Sequence, residues 1–339
     1  MQILIIGEFY EEAFATHISE TFQFMDHSVK ECSVYPSGGL LSNTFIKKIY
    51  YHLDRNIFSF FSFFRNHRFK NICSDIKEFQ PDLILVTYDY LYHDQVTKIK
   101  SICNAKIAMW SPDSVATVAS GKSHYLNAEY DHLFFKDPYI VKNLVGTLEL
   151  NAFYLPECFN PLKHFYDGEI EQEYFSDVTT AGNLHSFRVS FFRNLLNEDY
   201  VISLWGNDSP SWLNASDIKK FYKGRPVYNE EKAKVFLGSK IVLSNLSIAE
   251  IEGLNVRAFE VAGIGAFQLV DHRAGIDEQF VVGEEIITFS DMKDLKKKIH
   301  FYLANPELRN KIAAKAKVRA MKDHTYEVRL KEMLKHIFE

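Results

Sequence analysis

The chain has 339 residues, enough for two domains of ordinary size, each with its own core. Its net charge of −5 argues against nucleic acid as the main partner. Cys32, Cys73, Cys103 and Cys158 show no paired spacing, which argues against a zinc site or a disulfide framework and for reduced thiols in a cytoplasmic protein. The chain opens on an apolar strand with no signal-peptide pattern, and its longest near-apolar run, 57–64, is far short of the roughly 20 residues a bilayer needs.

Ile3 to Ile6 is a continuous apolar run ended by Gly7, as expected of a buried parallel strand, and no G-x-G-x-x-G follows it. A helix over Glu11 to Met25 and a strand over Val29 to Tyr35 come next. The loop Pro36 to Asn43 then carries two glycines at a strand end, either a ligand loop or a plain turn. Residues 44–72 hold six Lys or Arg, one acidic residue and nine aromatics. Such a basic aromatic helix suits peripheral contact with an anionic membrane or a lipid-linked acceptor, or else packs its Phe inward and turns its cations to water. Strands over Pro81 to Asp89, Lys106 to Ser114, His132 to Asp137 and Asn151 to Glu157 alternate with helices, which predicts an α/β doubly wound sheet. Asp113 sits just past one of these strands, where binding residues gather. It is a candidate base, or a cap for the helix that follows.

Pro156, Pro161 and the polar run Asp167 to Glu173 mark a linker, giving boundaries at 1–157, 158–175 and 176–322, with 323–339 as a last amphipathic helix. The second half restarts the pattern. Asp177 to Asn183 ends at Gly182 and Asn183, and Tyr200 to Asn207 ends at Gly206 and Asn207, as expected where backbone approaches a ligand closely. A helix after the first of these carries Arg188. Lys223 to Glu231 starts another, with Asn229 as its expected cap, and Lys240 to Leu243 is a strand.

The stretch Glu252 to Asp271 reads as loop, short helix and strand. Asn255 is the expected N-cap, Gly263 and Gly265 the expected stop, and Ala266 to Val270 the strand. A helix starting from a polar loop offers unpaired N–H groups and a positive dipole end to a phosphate group. Carboxylates there suit hydroxyls instead, so the stretch points to a nucleotide sugar. Arg257, with the backbone at Asn255 and Val256, is the diphosphate candidate; Arg188 and Lys240 are weaker ones. Arg257 and Glu260 are also spaced to pair on a helix surface. The histidines His17, His124 and His324 read as structural or surface residues.

Glu252 and Glu260, with seven residues between them, resemble the E-x7-E element of GT-B glycosyltransferases. The blocks NVRAFEVAGIGAFQLVD, GEEIITFSDMKDLKKKIHFYLANPELRNKIA and HTYEVRL, with MWSPDS and YLPECFNP earlier, are similar to the spore-maturation-type (CgeB-like) glycosyltransferases of bacterial surface polysaccharide clusters. The resemblance implies a GT-B fold of two Rossmann-like domains facing a cleft, with the last helix crossing back to the first. It implies that the second domain binds a nucleotide-diphospho-sugar and the first a glycan, lipid-linked glycan or protein acceptor. By the same resemblance Glu260 contacts ribose, Glu252 the donor sugar, and Arg225, Val227 and Tyr228 lie where main chain meets the base. No D-x-D of the Mn²⁺-binding kind is present, so the expectation is metal-independent transfer with no cofactor. A nucleotide-sugar epimerase on the same fold, or a non-catalytic carbohydrate-binding or assembly subunit, stays open at this point.

Overall fold

A computed structural model describes residues 1–34, 62–118 and 123–339, with backbone alone over 62–68. The glycine loop of 36–43 and most of the basic aromatic stretch of 44–72 lie outside the described residues; Ser62–Phe79 is helical. The chain forms two compact units. One comprises residues 1–135, 144–153 and 330–339, the other 136–143 and 154–329.

The first unit is built on a six-stranded sheet in the order β2-β1-β3-β4-β5-β6. The strands are β1 (Gln2–Gly7), β2 (Ser28–Ser33), β3 (Leu83–Thr87), β4 (Lys106–Ser111), β5 (His132–Phe135) and β6 (Ala152–Tyr154). Pairing from β2 through β5 is parallel. Ile3 to Ile6, Leu83 to Val86 and Ile107 to Trp110 are completely buried, as unbroken apolar runs require when both faces of a parallel sheet are covered. The first helix is Phe14–Phe24, shorter than expected at its start, where Glu12 takes a left-handed conformation at φ 66°.

The second unit carries a five-stranded parallel sheet, β11-β10-β9-β7-β8. Its strands are β7 (Ser176–Ala181), β8 (Ile202–Trp205), β9 (Ser239–Ser244), β10 (Gln268–Asp271) and β11 (Ile287–Phe289). The edge strand β11 has no counterpart among the expected elements. Relative to its own first strand, each sheet places the second strand on one side and the third on the other. That reversal creates a switch point at the carboxyl ends of β1/β3 in one unit and β7/β9 in the other, where a crevice opens for ligands.

The Val256–Ile264 helix ends at Gly265, which is left-handed at φ 93° and whose N–H bonds back to the Val261 carbonyl at 3.1 Å. Gly263 does not end the helix, contrary to expectation. It lies within it and makes room for the Phe159 ring, which a Cβ there would meet at 2.3 Å. Among the described residues no helix is long and apolar enough to cross a membrane.

Candidate functional site

The carboxyl rim of the second sheet is shaped by two glycines. Gly182 follows β7 at φ 135° and Gly206 follows β8 at φ 156°, conformations that side chains disfavour. They pack so closely that a Cβ on Gly206 would stand 2.2 Å from the Gly182 carbonyl oxygen. The paired Gly-Asn endings seen in sequence do meet in space, since the Asn207 amide donates to Asn183 Oδ1 at 2.9 Å.

Over Gly182 lie two buried arginines. Arg257, in the first turn of the Val256–Ile264 helix, donates from Nε to the Ala181 carbonyl at 2.7 Å. Arg188, from the Ser186–Arg193 helix, donates to the Asn183 carbonyl at 2.8 Å. A Cβ on Gly182 would meet Arg257 Nη2 at 2.6 Å and Arg188 Nη1 at 2.7 Å, so the guanidinium groups flank a single point. Each residue is only 9% exposed, yet Arg257 Nη1 and Arg188 Nε have no partner among the described residues. Burial lowers both arginines below their ordinary range, and for Arg188 the neighbouring Arg257 charge adds to the effect. Two like charges brought this close together repel each other, a cost that a nearby anion would offset.

The first turn of the same helix is polar too. Asn255 occupies the N-cap position, as expected, but its side chain makes no capping hydrogen bond, and its Oδ1 has no partner. Asn255 and Val256 are half-buried. No side chain caps the first turn among the described residues, so its positive end is not neutralised by its own N-cap.

One turn deeper, Glu260 is buried and takes the Lys232 ammonium at 2.9 Å, with His164 Nε2 at 3.6 Å. Neither partner was apparent in the sequence; the only signal for Lys232 is a lysine set among the buried Ala233, Val235 and Phe236. Arg225 is engaged too, by the Glu231 carboxylate and over the Trp205 ring with its guanidinium carbon 5.1 Å from the ring centre. Val227 is buried in an apolar cluster with Trp205, so only its main chain can face a ligand. Tyr228, partly exposed, takes the N-cap position assigned in sequence to Asn229, which instead opens the helix in a left-handed conformation.

Lys240 is not part of the site. It sits at the amino end of β9 and pairs with Asp177 at 2.7 Å, on the opposite rim of the sheet from Gly182. In the first unit, Asp113 lies half-buried just past the end of β4. The nearby Asp89, past β3, is pushed up to about 6 by burial, against the pull of the His124 and Tyr125 N–H groups at 2.6 and 2.9 Å.

Glu252 is half-buried on a loop held from both sides. The completely buried Asp137 accepts from three successive N–H groups, those of Ile251, Glu252 and Gly253, at 3.1, 3.2 and 3.2 Å. Gly275 N–H donates to the Glu252 carbonyl at 3.0 Å. Next to Asp137, the Lys136 ammonium reaches Glu157 at 3.1 Å and Glu250 at 3.0 Å. Burial and the Glu250 charge push the Glu157 carboxyl up to about 7, although Lys136 pulls it down. Sequence reasoning missed Lys136, Asp137 and Glu250, and quoted Glu157 only within a motif. His324, expected to be structural, is buried between the Gln279 carbonyl and Arg329, both at 2.8 Å, and burial lowers it to about 4.

A glycosyl transferase-like family model matches residues 188–335, which span both Arg188 and the Val256–Ile264 helix. The spore protein CgeB of Bacillus subtilis (strain 168) is 24% identical over 262 residues, covering 70% of this chain and 77% of that protein. Among solved structures, sucrose-phosphate synthase from Thermosynechococcus elongatus superposes with a TM-score of 0.69 at 12% identity, covering 98% of this chain and 97% of that one. Anabaena HepE, solved with UDP-glucose, superposes with a TM-score of 0.67 at 9% identity, covering 99% and 98%. The chain is a glycosyltransferase with the two-domain, Rossmann-like GT-B fold, similar to the spore protein CgeB.

Proposed function

We propose that the enzyme moves a sugar from a nucleoside-diphosphate donor to a hydroxyl of a glycan or lipid-linked glycan in surface polysaccharide synthesis. The observation that carries this reading is the pair of buried guanidinium groups with unspent N–H donors over Gly182, beside an uncapped helix start at the switch point of the sheet. Glycosyl transfer builds negative charge on a departing diphosphate, and aimed cations and N–H dipoles stabilise that charge where it develops. With Arg188, Arg257 and the helix tip in that role, transfer needs no divalent metal. Glu260, braced by Lys232, is the ribose acceptor, and the main chain of residues 225–228 meets the base. Glu252 faces the donor sugar, and Asp113 is the acceptor base if the anomeric configuration inverts.

The test is binding followed by turnover. UDP, the nucleotide of the HepE complex, should raise the melting temperature, with GDP and dTDP run beside it. The best nucleotide's sugar conjugate should then label a crude glycan extract in the presence of EDTA. If all three diphosphates leave the melting temperature unchanged, the donor site is wrong. If label appears only with added divalent metal, the role given to the arginines is wrong.

A further inference from the structure

Past the carboxyl ends of the strands of the second sheet, several buried polar atoms have no partner among the described residues, and five of them divide by chemistry. Arg188 Nε and Arg257 Nη1 are donors, which suit phosphate oxygens. Glu250 Oε2, Asn245 Oδ1 and Asn255 Oδ1 are acceptors, which suit hydroxyls. Glu250 is the one charged member of the second group, and it is 7% exposed. Its other oxygen takes the Lys136 ammonium at 3.0 Å, but that ammonium also serves Glu157, so one cation is shared between two acids. A cluster built only to balance Lys136 would need one carboxylate, and the second brings an acceptor atom that no described residue satisfies.

Glu250 is also rigidly placed. Its N–H donates to the Ser247 carbonyl at 3.1 Å, and its carbonyl takes Arg273 Nε at 3.0 Å. The next three N–H groups are held by Asp137. Along the chain Glu250 stands five residues before Asn255, the N-cap of the Val256–Ile264 helix, and two before Glu252. A fixed, buried carboxylate oxygen on the loop that leads into the proposed diphosphate-binding helix tip suits a hydroxyl-bearing group attached to that diphosphate.

We propose that Glu250, clamped by Lys136, accepts a hydrogen bond from a hydroxyl of the donor sugar and so selects which sugars are transferred. The E-x7-E resemblance gives the sugar contact to Glu252; Glu250 lies outside that motif, and Lys136 and Glu157 lie outside the stretch altogether. The inference rests on the donor-site reading above.

Calorimetric titration separates the two. For the wild type, the Kd of a nucleoside diphosphate is compared with that of its hexose conjugate and of the monodeoxy versions of that hexose. The conjugate should bind more tightly than the diphosphate, and one monodeoxy analogue should lose at least about tenfold, since a site built around a hydroxyl rejects its absence. Glu250→Gln should keep diphosphate binding within about threefold, lose at least about tenfold toward the conjugate, and no longer distinguish the deoxy analogue. Diphosphate binding with an undiminished sugar contribution in Glu250→Gln overturns this inference alone. Failure of any diphosphate to bind the wild type overturns the donor-site reading and this inference together. Should Glu250→Gln not fold, the deoxy series on the wild type decides, and equal binding of every analogue sinks the proposal.

Discussion

The two sheets share the order of their first five strands, and a glycine stands at the carboxyl end of the first strand in one and just past it in the other, yet the space beside those glycines is used differently. A Cβ on Gly7 would strike Thr87 Oγ1 at 2.4 Å and the Ala15 methyl at 2.7 Å, so that rim is filled by the unit's own packing. A Cβ on Gly182 would strike two guanidinium groups. The same topology therefore supplies a closed joint in one unit and a charged opening in the other. What the rim does is decided by the side chains that reach over the glycine, a matter of site and not of fold.

The sharpest way to break this comparison is to remove the arginines. Arg257→Gln or Arg188→Gln should weaken nucleoside diphosphate binding by about a hundredfold, close to 3 kcal/mol, because each loses a charge-assisted contact in a desolvated site. The same changes relieve like-charge repulsion in the empty protein. Arg188→Gln, whose charge is opposed by both burial and Arg257, should therefore unfold at the same or a higher temperature than the wild type without ligand. Calorimetry and a melting curve read the two effects. A variant with weakened binding and a lowered melting temperature would mean the arginines serve the fold and not the ligand.

The glycines sharpen the comparison further. Gly7→Ala and Gly182→Ala should each cost stability, by about 2 kcal/mol. In the first case the cause is overpacking, in the second a side chain forced to φ 135°. Only Gly182→Ala should also weaken diphosphate binding, by about tenfold, because the arginine ends must swing aside to admit the methyl group. Equal loss of binding in both variants would show that the rims are not functionally distinct.

Much of this site was written locally enough to read from the chain. Unbroken apolar runs announced the strands, the repeated Gly-Asn endings announced close backbone approach, and Asn255 announced the start of one helix. What escaped the reading depends on partners far away in sequence. Arg188 meets Arg257, and Lys136 meets Glu250, only after the sheet has ordered them. Lys240 was misassigned because a residue at the start of a parallel strand lies on the opposite rim from one at its end. Gly263 was misread because a glycine inside a helix can serve a neighbouring ring, here Phe159, as readily as a helix end.

Acids raised by burial in the two units extend the contrast to pH, with a smaller effect. Asp89 in the first unit is satisfied by backbone N–H groups and is pushed only to about 6, whereas Glu157 in the second shares Lys136 with Glu250 and rises from an ordinary 4.5 to about 7. A carboxyl whose folded value is raised stabilises the fold fully below its unfolded value, and that contribution is lost as pH climbs through the folded value. Both acids therefore make the protein less stable as pH rises, but Glu157 carries the loss up to neutrality. Between pH 6 and pH 8 the wild type should lose on the order of 1 kcal/mol through Glu157, and Glu157→Gln, which never ionises, should lack that part of the slope. Urea unfolding at the two pH values measures it. An unchanged slope in Glu157→Gln would mean that the carboxyl is already ionised in the folded protein, with Lys136 outweighing burial and Glu250.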